Sequence, residues 1–272
     1  MENLNILLAG LPAAGKSTYI TALWAVEKDG KSGHLLTCEG FPSETSYIDE
    51  MRDNWIELKE VRRTSFAEPM AIELPMKSRR NGKSIKLSIP DFKGEIFQRI
   101  LVNREATDLN EWCKKSRGIL FMTNLGSSSP EIFQEQCSET TTPILDQEKI
   151  VMTAHDIAPV IQNILLLKFL HSRMGDRPIS ICFSSWDKLD YDKDTHVEDW
   201  AKENHPCLYN FVVEHFSNYR FYGVSAQGAD YTGLDNRSGD ELAKKTTEKT
   251  RAYIYRESIS YDITEPIDYL IQ

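Results

Sequence analysis

An α/β fold with a mostly parallel central sheet, one antiparallel hairpin strand and helices on both faces is what the sequence predicts. Three observations carry that expectation. Short runs apolar at nearly every residue alternate with segments whose apolar residues recur at helical spacing, the pattern of strands covered on both faces by crossover helices. One pair of runs is joined by Asn81-Gly82, a hairpin turn in which both residues tolerate positive φ. Glycines stop the runs and the helical segments at the places such a fold needs turns.

The elements follow in order. Leu4–Ala9 reads as a buried strand ended by Gly10, and the segment after Lys16, with Ile20, Leu23 and Trp24 on one face, reads as a helix stopped by Gly30 and Gly33. A second helix is expected after Pro42-Ser43, with Ile48, Met51, Trp55 and Leu58 apolar, ending near Arg62-Arg63-Thr64. The runs 71–76 and 84–89 form the hairpin, with Pro75 confined to an edge or to a place where its missing donor faces solvent. A helix is expected over 95–115, a strand over 118–122, a helix over 155–174 closed by Gly175, a strand over 179–183, a helix over 199–216 and a strand over 219–224. The chain should close on a short helix with Thr264 as its N-cap and Ile267, Leu270 and Ile271 as its apolar face. There is no internal repeat. The expectation is a single domain over 1–272 with insertions near 34–62, 126–150 and 228–250, the last two rich in polar residues.

Composition narrows the function classes. Hydrophobic residues make up 40% and charged residues 27%, with a mean hydropathy of −0.43, which fits neither disorder nor a membrane protein. The longest apolar stretch, 157–170, is broken by Pro159, Gln162, Asn163 and Lys168, so no membrane span is expected. A net charge of −9 argues against nucleic acid as a partner, because phosphate backbones are bound by clustered Lys and Arg. The five cysteines (38, 113, 137, 182 and 207) form no CxxC pair, which reads as thiols in a reducing, cytoplasmic setting. The six histidines show no metal-binding spacing.

The chemistry sits in Gly10-Leu-Pro-Ala-Ala-Gly15-Lys16-Ser17. This is G-x-x-x-x-G-K-[ST] between a strand and a helix, the context of a phosphate-binding loop, or P-loop. Its glycines let main-chain N–H groups turn inward at a helix N-terminus, where they cradle an anion. Lys16 is expected at the β- and γ-phosphates and Ser17 at Mg²⁺. Pro12, Ala13, Ala14, Gly15 and Thr18 join Gly10 as the expected nucleotide contacts. Asp91, at the tip of the second hairpin strand, suits a cation that keeps most of its waters. Gly94 offers a backbone N–H for close approach to a γ-phosphate.

A phosphate loop followed by a hairpin and Asp91-Phe-Lys-Gly94 resembles the Ras-like P-loop GTPases. That resemblance implies a P-loop NTPase fold, GTP/GDP and Mg²⁺ as ligands, and a switch threonine before the hairpin, for which Thr64 and its neighbour Ser65 compete. It implies a guanine-reading aspartate after the next-to-last strand. There Ser184-Ser185-Trp186-Asp187 keeps the aspartate of [NT]-K-x-D and loses the Asn and Lys, while Asp187-Lys-Leu-Asp190 needs a longer loop; Asp187 is the preferred reader. Trp186 is expected to fill core. Ser225-Ala226-Gln227 resembles the family's S-A-K loop with Gln for Lys. The extra helix before Thr64, the Arg-Thr pair, D-x-x-G-E and the closing Ile263–Leu270 segment are similar to the bacterial double-GTPase family, which implies a protein partner, a second GTPase among the candidates, in signalling or conflict.

On this reading Glu95 stands beside the attacking water where glutamine is usual, and its charge slows turnover. Arg62 and Arg63 are read as solvated helix-end residues, the alternative being an arginine finger in cis. The basic hairpin tip 77–83 is read as solvated. The expected function is a GTP-binding switch with slow Mg²⁺-dependent hydrolysis. Two other classes stay open: a nucleotide-binding scaffold with negligible turnover, and an ATP-using phosphotransferase on the same loop.

Overall fold

The computed structural model describes residues 2–28, 32–41, 45–59, 70–91, 97, 100, 107–125, 157–189, 195–229 and 248–272. In chain order the elements are β1 (Glu2–Ala9), α1 (Lys16–Glu27), β2 (Leu36–Cys38), α2 (Thr45–Ile56), β3 (Met70–Ser78), β4 (Ser84–Asp91), α3 (Thr107–Lys115), β5 (Ser116–Asn124) and α4 (Pro159–Met174). They continue with β6 (Ile179–Ser184), a 3₁₀ turn (Trp186–Lys188), α5 (Val197–Asn204), α6 (Pro206–His215), β7 (Tyr219–Ser225), α7 (Glu248–Arg251), β8 (Tyr253–Tyr255), β9 (Ile259–Ser260) and α8 (Glu265–Leu270).

The strands among the described residues join one nine-stranded sheet in the order β2-β3-β4-β1-β5-β6-β7-β8-β9. Its centre, β4-β1-β5-β6-β7, is parallel throughout. The hairpin strand β3 pairs antiparallel with β4 as expected. Three further antiparallel strands were not foreseen: β2 outside β3, and β8 and β9 beyond β7. Pro75 lies where the β2 pairing ends; its carbonyl accepts the Glu39 N–H at 2.9 Å, so the side without a donor faces the outer margin and no ladder bond to β4 is lost.

Alternation along each central strand feeds two cores. Leu4, Ile6 and Leu8 of β1, with Leu120, Met122 and Cys182, pack with α1, α2 and α8. Leu7 and Ala9, with Ile119, Phe121, Ile181 and Phe183, pack with α3, α4, α5 and α6. A period-two strand buried on both faces gives the unbroken apolar runs seen in the sequence. α2 is fastened to α1 by the Trp24 Nε1–H, which donates to Asp49 Oδ1 at 2.9 Å, and by Lys28 at 3.1 Å from the same oxygen. Among the described residues no helix is long and apolar enough to cross a membrane.

Several boundaries differ from expectation for local reasons. The helix expected over 199–216 is two helices, because Pro206 has no N–H and clashes with the carbonyl four residues back; it starts α6 instead. The helix expected over 155–174 begins at Pro159, a favoured first position. Of the helix expected over 95–115, Thr107–Lys115 is described as α3, and residues 97 and 100 are helical. Thr264 precedes α8, but its hydroxyl does not cap the helix; it donates to Asp262 and accepts the Leu36 N–H at 3.1 Å, joining β2 to the closing segment. At the hairpin tip Arg79 donates to the Gly33 carbonyl and Arg80 pairs with buried Asp268 at 2.7 Å. That tip therefore has a packing role beyond the solvation expected of it. Cys38, Cys113 and Cys182 are buried free thiols and Cys207 is exposed. Burial pushes the Cys38 thiol up to about 12 and that of Cys113 to about 11, which leaves them protonated and inert.

His205, at the α5–α6 break, is packed 5.0 Å from the Phe183 ring and 5.1 Å from that of Trp200. Burial pushes its imidazole down to about 4 from an ordinary 6.5. The unfolded chain therefore takes up a proton in the window from pH 6.5 to 4 that the folded chain refuses. Stability is full above that window and falls as the pH is lowered through it. From pH 7 to pH 5 the expected loss from this group is about 2 kcal/mol. Urea unfolding at the two pH values should show it, and His205→Asn should remove that part of the pH dependence.

Candidate functional site

The loop from Gly10 to Gly15 leaves β1 and turns into α1 between the ends of β5 and β6. Side chains have no room there. A Cβ at Gly10 would stand 2.2 Å from the Met122 carbonyl oxygen, and one at Gly15 would stand 3.0 Å from the Ser184 Cβ. Gly15 has φ +82 and Ala13 φ +59, alternating left- and right-handed backbone of the kind that turns successive N–H groups into one concavity. The Ala13 carbonyl accepts from Asn124 Nδ2 at 3.4 Å, and Tyr19 N–H donates back to the Gly15 carbonyl at 2.9 Å as α1 begins. The first N–H groups of α1 therefore face the loop, with the positive end of the helix dipole behind them.

Lys16 is 7% exposed. Its Nζ donates to the carbonyls of Gly10 at 2.8 Å and Leu11 at 2.9 Å and lies 5.6 Å from the Phe97 ring centroid. The ammonium is folded over the loop, neutralising carbonyls that would otherwise present negative charge to an anion. Ser17 and Thr18 are half-buried on the first turn of α1.

On the other side of Gly15, β6 ends at Ser184 and the chain turns sharply through Ser185 at φ +62 into Trp186–Lys188. Trp186 is fully buried, stacked 5.8 Å from Tyr255 and edge-on to Trp200 at 5.0 Å. Burying a side chain of that size contributes about 4–6 kcal/mol of transfer free energy and anchors the next residue. Asp187 and Lys188 line a recess of about 80 Å³ with Gly15, Thr18, Ser184, Ser185, Ala226, Gln227 and Ala229. The structure thus brings Gly15, Thr18, Asp187 and Ala226, four of the residues named from the sequence, to one recess. Ser225 is not in the lining; it is fully buried and its Oγ accepts the Gly228 N–H at 3.0 Å, which closes the loop after β7.

In the sequence Ser184 stands out only as the loss of an asparagine. It is 5% exposed, and its Oγ has no hydrogen-bond partner among the described residues. A buried hydroxyl in that state lacks the partner native structures normally provide, and it sits where a ligand in the recess would supply one. Asp91 closes β4 opposite Met70, at the same end of the sheet as Ala9 closing β1. Thr64, Ser65, Gly94, Glu95, Asp190, Arg62 and Arg63 lie outside the described residues. Among those described, no group of three or more His, Cys, Asp or Glu could hold a metal by itself.

A model of the double-GTPase 1 family matches residues 7–270. The chain belongs to the double-GTPase 1 family. The loop 10–17, the hairpin and the closing helix all fall within the match. No curated protein matches the chain. Among solved structures it is similar to a bacterial selenocysteine-specific elongation factor, EF-Sec, at 15% identity and a TM-score of 0.42, covering 91% of this chain and 30% of that one. The chain thus spans less than a third of that factor's length. The mostly parallel sheet with the loop between its first strand and first helix is a P-loop NTPase fold.

Proposed function

We propose that the chain binds guanine nucleotide with Mg²⁺, hydrolyses GTP slowly and works as a switch read by a partner protein. What supports this most is the meeting at Gly15 of two features of different chemistry: an amide-lined turn with a buried ammonium on one side, and a carboxylate-bearing recess on the other. One suits a polyphosphate and the other suits a base with paired donors. Family membership supports guanine as that base.

The residues present fit both groups. The glycines let the turn pack against Met122 and Ser184 with its N–H groups gathered on one side, and among the described residues the Ser184 hydroxyl beside the recess has no partner. The main chain of 10–17 would bind the phosphates, with Lys16 shifting its hydrogen bonds from the loop carbonyls to phosphate oxygens. Asp187 would accept from N1–H and the exocyclic amine of guanine, a donor pair adenine lacks; a carboxylate left unpaired by the wrong base costs several kcal/mol. Ser17 and Thr64 would hold Mg²⁺ directly and Asp91 through water, a small set of protein oxygens that suits this cation. Mg²⁺ would supply neutralisation of phosphate charge. Glu95 would orient the attacking water.

The deciding experiment is competition of GTP and ATP against a fluorescent GDP, with and without Mg²⁺, for the wild type and Asp187→Ala. GTP should displace the probe at least about a hundredfold better than ATP, and the variant should lose that preference while still binding triphosphate. Equal displacement by both nucleotides from the wild type overturns the guanine reading. The replaced Asn and Lys of the base motif and the glutamate at 95 favour a scaffold without turnover as the second reading. Single-turnover assays separate the two, since a scaffold returns its GTP intact after hours.

A further inference from the structure

α2 lies in the stretch the sequence reads as an insertion, yet its last turn is tied directly to the loop that follows β7. The Trp55 Nε1–H donates to the Ala226 carbonyl at 2.8 Å, a bond between residues 171 apart in the chain. The Arg251 guanidinium donates to the Trp55 carbonyl at 2.7 Å and to that of Ile56 at 3.5 Å. Its Cζ lies 4.4 Å from the centroid of the Trp55 ring. Those carbonyls end α2, where the negative end of the helix dipole favours a cation. The backbone of Arg251 also closes against Gly228: a Cβ there would stand 2.7 Å from the Arg251 carbonyl oxygen. Trp55 is fully buried and Arg251 is 5% exposed. Three distant pieces of chain thus meet beside the Ala226–Gln227 peptide group, whose carbonyl Trp55 holds and whose two residues line the recess beside Asp187.

A trans peptide unit is planar, so fixing the Ala226 carbonyl also fixes the direction of the Gln227 N–H. We propose that Trp55 and Arg251 are positioning residues for the base side of the site, which makes α2 part of the nucleotide machinery. The proposal rests on the nucleotide reading above. It accounts for a fully buried indole whose donor is spent on a loop carbonyl, and for a guanidinium buried at a helix end. Loss of the Trp55 donor leaves the Ala226 carbonyl without its bond and lets the peptide swing, which weakens contacts to the base and leaves those to the phosphates untouched.

Trp55→Phe keeps a ring beneath Arg251 and removes the donor, together with part of the buried ring volume. Release of fluorescent GDP should be about tenfold faster, the effect of one lost buried hydrogen bond. Inhibition of GDP binding by inorganic pyrophosphate, which touches only the phosphate end, should be unchanged. Amide exchange at 226–228 should be faster in the variant. Arg251→Lys, which keeps a cation at the helix end and loses the planar stack, should give the same split at smaller amplitude. That variant carries the test if Trp55→Phe does not fold. GDP release unchanged within twofold in a folded variant, or pyrophosphate weakened by the same factor as GDP, overturns the proposal alone. Failure of the wild type to bind GDP overturns the nucleotide reading and the proposal with it.

Discussion

Lys16→Ala is expected to weaken Mg²⁺-dependent binding of fluorescent GDP by about two to three orders of magnitude. Two losses add. The ammonium no longer neutralises phosphate oxygens, and a charge-assisted hydrogen bond is worth about 1.5–3 kcal/mol. The Gly10 and Leu11 carbonyls, 2.8 and 2.9 Å from Nζ, also lose the nearby positive charge that offsets them when an anion enters. Each 1.4 kcal/mol is a factor of ten, so the sum falls in the stated range. Lys16→Arg should not rescue, because a planar guanidinium does not fit where a compact ammonium is 7% exposed between two carbonyls. A fluorescence titration that finds Lys16→Ala within threefold of wild type removes the phosphate loop from the function altogether.

Gly223→Ala should be the most damaging single methyl group on the base side. Its Cβ would stand 2.2 Å from Trp186 Cδ2, 2.6 Å from Cγ and 2.7 Å from Cε2. Gly223 is held in the middle of the sheet opposite Phe183 on β6 and Tyr255 on β8. The indole is wedged between Tyr255 and Trp200, so neither side yields easily. Overpacking of that kind costs about 3 kcal/mol or more, which for a chain of this size lowers the melting temperature by roughly 10 °C. If the indole moves instead, Asp187 moves with it, and GDP affinity should fall further than Tm alone accounts for. Thermal unfolding with and without GDP reads both effects; a Tm within 2 °C of wild type contradicts the packing described here.

The two variants mark the parts of the molecule legible in the sequence and those that were not. The phosphate loop is legible because its signal is local: an apolar run, glycines at fixed offsets and the start of a helix. The position of Asp187 is legible for the same reason, since it stands three residues past the end of β6. Trp186 is buried as expected, yet nothing in the sequence marks Gly223 as the residue that makes room for it. β2, β8 and β9 escape notice because two or three residues cannot show a period; they exist by pairing with β3 and β7 and with each other. The break at Pro206 carried a readable signal, since proline interrupts a helix whatever surrounds it. The Trp55–Ala226 bond carried none, because a contact across 171 positions leaves no pattern in a single sequence.

The margins of the sheet have a consequence for crowding. One side finishes in Ile259–Ser260 and the other in Leu36–Cys38, and next to the latter stands a proline that offers no amide outward. Each of these outermost strands offers a foreign polypeptide only two or three residues to pair with, a short row for zipping alongside. At high concentration these two end strands are therefore poor seeds for fibre growth.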